Sequence, residues 1–174
     1  MSDDLRQIRI EKLARLREAG VSVYPERFER THTLAQAAAL PEGNAGLRLA
    51  GRLIAVRSFG KLTFAHLQDG GARLQIALEK KRLDARAWEV FHDLVDRGDF
   101  LGVEGELFVT KKGELTLRVD SFTFLAKALL PLPEKWHGLK DVEMQQRRRY
   151  LDLIMSEETR RRFALRTKVV RVLR

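Results

Sequence analysis

The chain has 174 residues, of which 44% are apolar, and this is enough for one hydrophobic core with appended helices. It has no cysteine and its four histidines are scattered singly, so we expect no disulfide and no metal site. No apolar run reaches the roughly 18 residues of a membrane span, and the start lacks a signal peptide's apolar core. We therefore expect a soluble, cytoplasmic protein with no membrane partner.

The net charge of +9 is unevenly distributed along the chain. Residues 1–46 carry seven basic and seven acidic groups, and residues 47–124 carry thirteen and eleven. The last 34 residues, 141–174, carry ten and five. Charge alone therefore favours a nucleic-acid contact near the end of the chain and says little about the middle.

Two helices are predicted before the middle of the chain. Ser2 or Asp3 can cap the first helix, and Gly20 stands where it would end. A second, shorter helix is predicted from Leu34 to Leu40, stopped by Pro41. The first helix is expected to pack through four apolar residues at helical spacing: Leu5, Ile8, Leu13 and Leu16.

The apolar period then changes from helical to two, which predicts five strands, at 47–53, 62–68, 73–78, 101–109 and 115–119. A turn at residues 58–60 joins the first two strands, and a helical stripe over 81–97 interrupts the series after the third. This order is typical of the oligonucleotide-binding (OB) barrel, whose sheet face and loops bind single-stranded nucleic acid in many proteins. The predicted fold is mainly β with helices: a five-stranded OB barrel with an N-terminal helix and a C-terminal helical linker.

The second predicted strand carries a candidate base-binding ring, Phe64. Alternation places Thr63, Ala65 and Leu67 on one face and Phe64 with His66 on the other. If the first of these faces is the core, Phe64 points outward and can stack on a base. The alternative is that Phe64 is a core residue and the two faces are exchanged.

Four polar residues could accompany this ring. Gln75 falls on the outer face of the third strand, where its amide suits a pyrimidine edge, although most such glutamines only meet water. Arg57 and Lys61 flank the first turn and could bind phosphate, or could simply be solvated. Glu114 could accept a hydrogen bond from a base, or could be an ordinary turn residue.

Residues 127–154, KALLPLPEKWHGLKDVEMQQRRRYLDLI, have the pattern of a joint between two domains, the second of which the chain begins without completing. With this joint, the chain resembles the amino-terminal part of class II lysyl-tRNA synthetases. The resemblance runs through RIEKLARLREAGVSVYPERF, GRLIAVRSFGKLTFAHLQD, GDFLGVEGELFVTKKGEL, LPLPEKWHGLKDVE and RYLDLI.

The resemblance implies that the barrel binds the anticodon of lysine tRNA, whose positions are uridine-rich. It assigns the stacking ring to Phe64, the base-reading amide to Gln75, the arginine before the first turn to Arg57 and the anticodon-contacting carboxylate to Glu114. Lys61 joins this set from its place at the turn. His66 is expected at the rim.

The resemblance also implies a division of the chain. Residues 1–46 form a helical extension, 47–126 the anticodon-binding domain, 127–155 a linker and 156–174 the start of a catalytic domain with an incomplete first motif. Asp141 is expected to cap the helix that follows it, and Ser156 is expected to cap the last helix. Three residues of the last helix are expected to form a buried stripe: Phe163, Val170 and Leu173.

The parent enzyme is expected to be a homodimer that uses ATP and Mg²⁺ to attach lysine to tRNA. The chain itself is expected to carry no catalytic residue and no cofactor, and to be inactive in ligation. Two other functions stay open. One is a general single-strand binder that does not discriminate bases, and the other is an interaction module that docks on a synthetase through its last two helices.

Overall fold

The computed structural model describes residues 2–132 and 142–174. They form two compact units, the first ending at Pro131 and the second beginning at Leu132. Much of the predicted joint, including the cap expected at Asp141, lies outside the described residues. The four predicted domain ranges stay predictions.

The first unit contains two N-terminal helices, then three strands, a helix and two strands. Their bounds are α1 (Ser2–Glu18), α2 (Leu34–Ala38), β1 (Leu47–Phe59), β2 (Leu62–Asp69), β3 (Ala72–Glu79), α3 (Ala85–Leu94), β4 (Phe100–Val109) and β5 (Leu115–Ala126). The second unit contains α4 (Val142–Arg147), α5 (Arg149–Met155) and α6 (Glu157–Leu173). The predicted order of strands and helix is confirmed.

The strands close into a barrel in the order β1, β2, β3, β5, β4, with β1 and β4 paired. Only the β3 and β5 pair is parallel; the other four pairs are antiparallel. The predicted five-stranded barrel is therefore confirmed. Full closure leaves no free sheet edge, so the pairing groups of the strands are satisfied within the domain.

Several boundaries differ from prediction: β1 and β5 are longer than predicted, with β5 continuing to Ala126, and α2 and α3 are shorter. β1 continues to Phe59, and the turn consists of Gly60 and Lys61, where Gly60 takes a φ of +61° that favours glycine. Ser58 and Phe59 were expected in the turn, but pairing with β2 keeps both in the strand. α3 is shorter than the predicted 81–97, because the Asp84 carboxylate caps it by accepting from the Ala87 N–H at 2.7 Å.

The barrel interior is filled by the small and leucine face predicted for β2. Thr63, Ala65 and Leu67 are all fully buried. β3 is covered on both faces, because the inward Leu74, Ile76 and Leu78 are buried and so are the outer residues between them. This strand lies between β2 and β5, so neighbouring strands flank it on both sides.

The predicted stripe of α1 packs along only half its length. Leu16 is fully buried and Leu13 packs against the core cluster. Leu5 and Ile8 are 43% and 47% exposed. The prediction that these two residues pack in the same stripe as Leu13 and Leu16 is therefore wrong. The N-terminal turns of this helix extend beyond the core of the first unit.

The second unit leaves its longest helix uncovered. Ser156 caps α6 as predicted, its hydroxyl accepting from the Thr159 N–H at 3.1 Å. The expected buried stripe is wrong, because α6 has no buried residue, and Val170 and Leu173 are 41% and 81% exposed. The seven residues of α5 are too few to cover the 17 of α6. No helix among the described residues is long and apolar enough to cross a membrane.

Candidate nucleic-acid interface

Phe64 lies on the outer face of the barrel, as the alternation predicted. Its cross-strand neighbours are Arg57 on β1 and Ala77 on β3. Its ring is half-buried, so it is neither a core residue nor freely exposed. The prediction that Thr63, Ala65 and Leu67 form the core face of β2 is confirmed.

Gln75 lies in the adjacent cross-strand row, between His66 on β2 and Thr116 on β5. Its side-chain amide donates to the Thr116 hydroxyl at 2.8 Å, and that hydroxyl donates to the Glu114 carbonyl oxygen at 3.1 Å. Gln75 is only 9% exposed. The alternative that this glutamine only meets water is therefore wrong, because Gln75 is covered and its hydrogen bond to Thr116 on the parallel strand β5 holds its amide in place.

Glu114 lies at the end of the turn between β4 and β5, immediately before β5. Gly113 takes a φ of +80° in this turn, and the Glu114 N–H donates to the Thr110 hydroxyl at 3.1 Å. The carboxylate of Glu114 lies 3.2 Å from Nε2 of His66. Glu114 is thus more than a turn residue, because its side chain reaches over the outer face to a residue that is 48 positions away in sequence.

One groove of about 450 Å³ joins these side chains. Five predicted residues line it together: Arg57, Phe64, His66, Gln75 and Glu114. Lys61 is exposed at the hairpin turn and does not line it. The structure therefore assembles the predicted site except for this lysine.

Eight further residues line the groove and were not predicted: Ala55, Phe59, Leu62, Glu79, Phe108, Thr110, Lys111 and Lys112. Phe108 forms part of the groove wall, and the Arg118 guanidinium lies against its ring, 4.2 Å from the ring centre. Arg118 also lies 3.4 Å from the Glu79 carboxylate. The outward parity of β4 and β5 could have indicated Phe108 and Arg118, but parity does not show which outward residues share a groove.

The groove combines an apolar floor with charges of both signs. Arg57, Lys111 and Lys112 contribute cations from two different hairpins, and Glu79 and Glu114 contribute carboxylates. Rings suit bases, cations suit phosphates and fixed amide and carboxylate groups suit base edges. In residues 2–132 and 142–174, no three histidine or acidic side chains come together as a metal site.

Residues 47–125 match the model of the tRNA anti-codon family, an OB-fold nucleic acid binding domain. The matched range covers the barrel strands except for the last residue of β5, Ala126, and it includes the groove. The first unit therefore contains an OB-fold nucleic-acid-binding domain.

Relatives identify the family more closely. The chain is 44% identical over 174 residues to the lysine–tRNA ligase of Carboxydothermus hydrogenoformans, covering 99% of the chain and 36% of the relative. The lysine–tRNA ligases of Pelotomaculum thermopropionicum and Moorella thermoacetica are also 44% identical, over 34% and 35% of their lengths. The chain belongs to the lysine–tRNA ligase family and spans about a third of the length of these curated relatives.

Proposed function

We propose that the barrel binds the anticodon of lysine tRNA, as the recognition module of a cytoplasmic lysine–tRNA ligase. The observation that carries the proposal is that Phe64, Gln75 and Glu114, from three different strands or turns, line one groove. Each supplies a different element of base recognition: a stacking surface, a donor and an acceptor.

The polar groups of the groove favour uridine over cytidine. Uracil presents an imide N–H between two carbonyl oxygens, so Glu114 can accept from the imide and Gln75 can donate to a carbonyl. Cytosine presents an unprotonated ring nitrogen at the imide position, where a carboxylate would face a lone pair. Since the hydrogen bond to Thr116 already orients Gln75, little side-chain entropy is lost on binding.

Phosphates are bound at the edges of the groove. Arg57, Lys111 and Lys112 line it, and Lys61 stands at the neighbouring turn. This part of the binding is independent of sequence and weakens as salt is added. A protein that relied on these cations alone would be a general single-strand binder.

The direct test uses an anticodon stem-loop of lysine tRNA and the same stem-loop with its middle uridine changed to cytidine. We expect the uridine form to bind more tightly at every salt concentration, because salt screens phosphate contacts much more than base contacts. Equal binding of the two forms would favour the general single-strand binder.

Ligation is proposed only for a protein with the full length of the relatives. That enzyme is proposed to be a class II, ATP- and Mg²⁺-dependent homodimer, and the exposed apolar residues of α6 agree with an interface helix. The 174-residue chain alone is expected to show no lysine-dependent exchange of pyrophosphate into ATP.

A further inference from the structure

A second aromatic ring, Phe59, stands beside Phe64 in the groove. Phe59 is the last residue of β1 and pairs with Leu62 across the hairpin turn. It is 63% exposed although its side chain is entirely apolar. Neither the sequence pattern nor the resemblance assigned it a role.

The two rings are close together and steeply inclined. Their centroids lie 6.4 Å apart, and their planes meet at 68°. Two flat groups stacked on these rings would therefore be inclined to each other by a similar angle. They could not stack on one another as neighbouring bases do in a helix.

Packing against the Phe64 ring does not by itself explain why Phe59 is so exposed. An edge contact to Phe64 uses a small part of the ring, and a residue serving only as packing would be largely covered. Phe59 instead leaves most of its surface in a groove that already contains base-binding groups and cations. Exposed apolar surface of this kind is typical of a binding site.

We propose that Phe59 is a second stacking platform, which binds the base adjacent to the one on Phe64 and holds the two bases apart. The proposal rests on the proposed anticodon-binding function and deepens it. Proteins that bind single strands stack successive bases on aromatic side chains, and two rings in one groove provide two such places.

Arg57 fits between these two places. It faces Phe64 across the β1 and β2 pair and precedes Phe59 by two residues, so it shares their face of the sheet. Its exposed guanidinium is thus placed to bind the phosphate that links the two nucleotides. In this arrangement Phe64 and Phe59 each stack on one base, and Arg57 binds the phosphate between them.

The test measures affinity of the full 174-residue chain for the lysine tRNA anticodon stem-loop and for three forms in which each anticodon position in turn is abasic. Phe59→Ala is compared with Phe64→Ala, and Phe59→Tyr serves as the matched control that keeps a ring. We expect Phe59→Ala to weaken binding of the intact stem-loop by about 5- to 150-fold. Phe59→Tyr should bind like the parent chain.

The abasic forms locate the base that each ring contacts. We expect one abasic position to cancel the effect of Phe59→Ala and an adjacent one to cancel that of Phe64→Ala. If one position cancels both effects, Phe59 only supports Phe64 and the proposal fails. It also fails if Phe59→Ala binds as tightly as the parent chain. If the parent chain itself does not bind the intact stem-loop, the proposed anticodon function fails, and the second platform with it.

Discussion

Gln75 on β3 donates its side-chain amide to the hydroxyl of Thr116 on β5, 2.8 Å away across the parallel pair of strands. The bond joins residues 41 positions apart and turns a covered glutamine into a group of fixed direction. The barrel thus prepares the donor before any nucleic acid binds.

Thr116→Val tests this preparation. Valine keeps the shape of the buried threonine but removes the hydroxyl. The Gln75 amide then loses a hydrogen bond that contributes about 1 kcal/mol and fixes its direction. We expect a smaller preference for the uridine stem-loop over the cytidine form, measured by fluorescence anisotropy. The control is Thr123→Val on the same strand, outside the groove. An unchanged preference in Thr116→Val would show that the bond is only structural.

Phe64→Ala tests the stacking ring. Because the ring is half-buried on the outer face and does not fill the interior, we expect binding of the stem-loop to weaken by about 1 to 3 kcal/mol while the barrel stays folded. Titration gives the affinity and circular dichroism the fold. Tyr24→Ala, which removes an aromatic ring 53% exposed and outside the groove, should bind normally. Equal affinities for Phe64→Ala and the parent chain would remove Phe64 from the site.

His66→Ala tests the contact that holds the Glu114 carboxylate. Without the imidazole 3.2 Å away, Glu114 is free to move in solvent, and fixing it on binding then costs side-chain entropy. We expect weaker binding of the uridine stem-loop, by about 0.5 to 1.5 kcal/mol, and little change for the cytidine form. A loss of the same size for both stem-loops would contradict this role and indicate a general contact. Calorimetric titration of both stem-loops separates the two results.

Gly105 and Gly102 on β4 form a matched pair for stability. A Cβ on Gly105 would overlap the backbone carbonyl oxygen of Arg118, which the register shift of the strands brings close. The nearest atoms to a Cβ on Gly102 would be those of the Phe28 ring, at 2.5 Å, and a side chain can move. We expect Gly105→Ala to lower the free energy of unfolding by about 3 kcal/mol and Gly102→Ala by about 1. Urea denaturation measures both, and the reverse order would refute the assignment.

A buried ion cluster joins the end of the barrel to α1. Lys127, with a fully buried side chain, donates to Asp99 at 2.8 Å and to Asp96 at 2.6 Å, and Lys12 donates to Asp96 at 2.7 Å. Lys127→Met would leave the fully buried Asp99 carboxylate without its cation. We expect a loss of about 3 to 5 kcal/mol in the free energy of unfolding, partly restored by adding Asp99→Asn. No restoration in the double variant would indicate that packing of Lys127, not its charge, matters.

The same cluster predicts a dependence on acid. Burial by itself would raise the pKa of Asp96, but hydrogen bonds from Lys12 and Lys127 and their charges outweigh it, so the pKa is lowered from 3.8. A lowered folded-state pKa gives stability that is complete well above 3.8 and is lost as the pH falls below that value towards the folded-state pKa. Urea denaturation at a series of pH values from about 6 downwards should show this loss in the free energy of unfolding. In the Asp96→Asn variant the loss should be smaller.

Local pattern was reliable where one strand alternates cleanly. The period of two in β2 predicted that Thr63, Ala65 and Leu67 share one face and Phe64 lies on the other, because each successive side chain must point to the opposite face. Burial of the first three residues then showed which of the two faces is the core. Pattern was less reliable at the end of β1. There Phe59 beside Gly60 resembled a turn, whereas pairing with Leu62 extends the strand.

By itself, the sequence determined the order of strands, the separation of Phe64 from the face of Thr63, Ala65 and Leu67, and the resemblance to lysine–tRNA ligases, since these depend on alternation and on motifs that are continuous along the chain. Only the tertiary structure decided that Gln75 is covered by β5, that Glu114 reaches His66 and that Phe59 shares a groove with Phe64. The first two contacts join segments 41 and 48 positions apart, and the third depends on where a strand ends. The physical reason is closure of the barrel, because only the register between paired strands sets which outward side chains become neighbours.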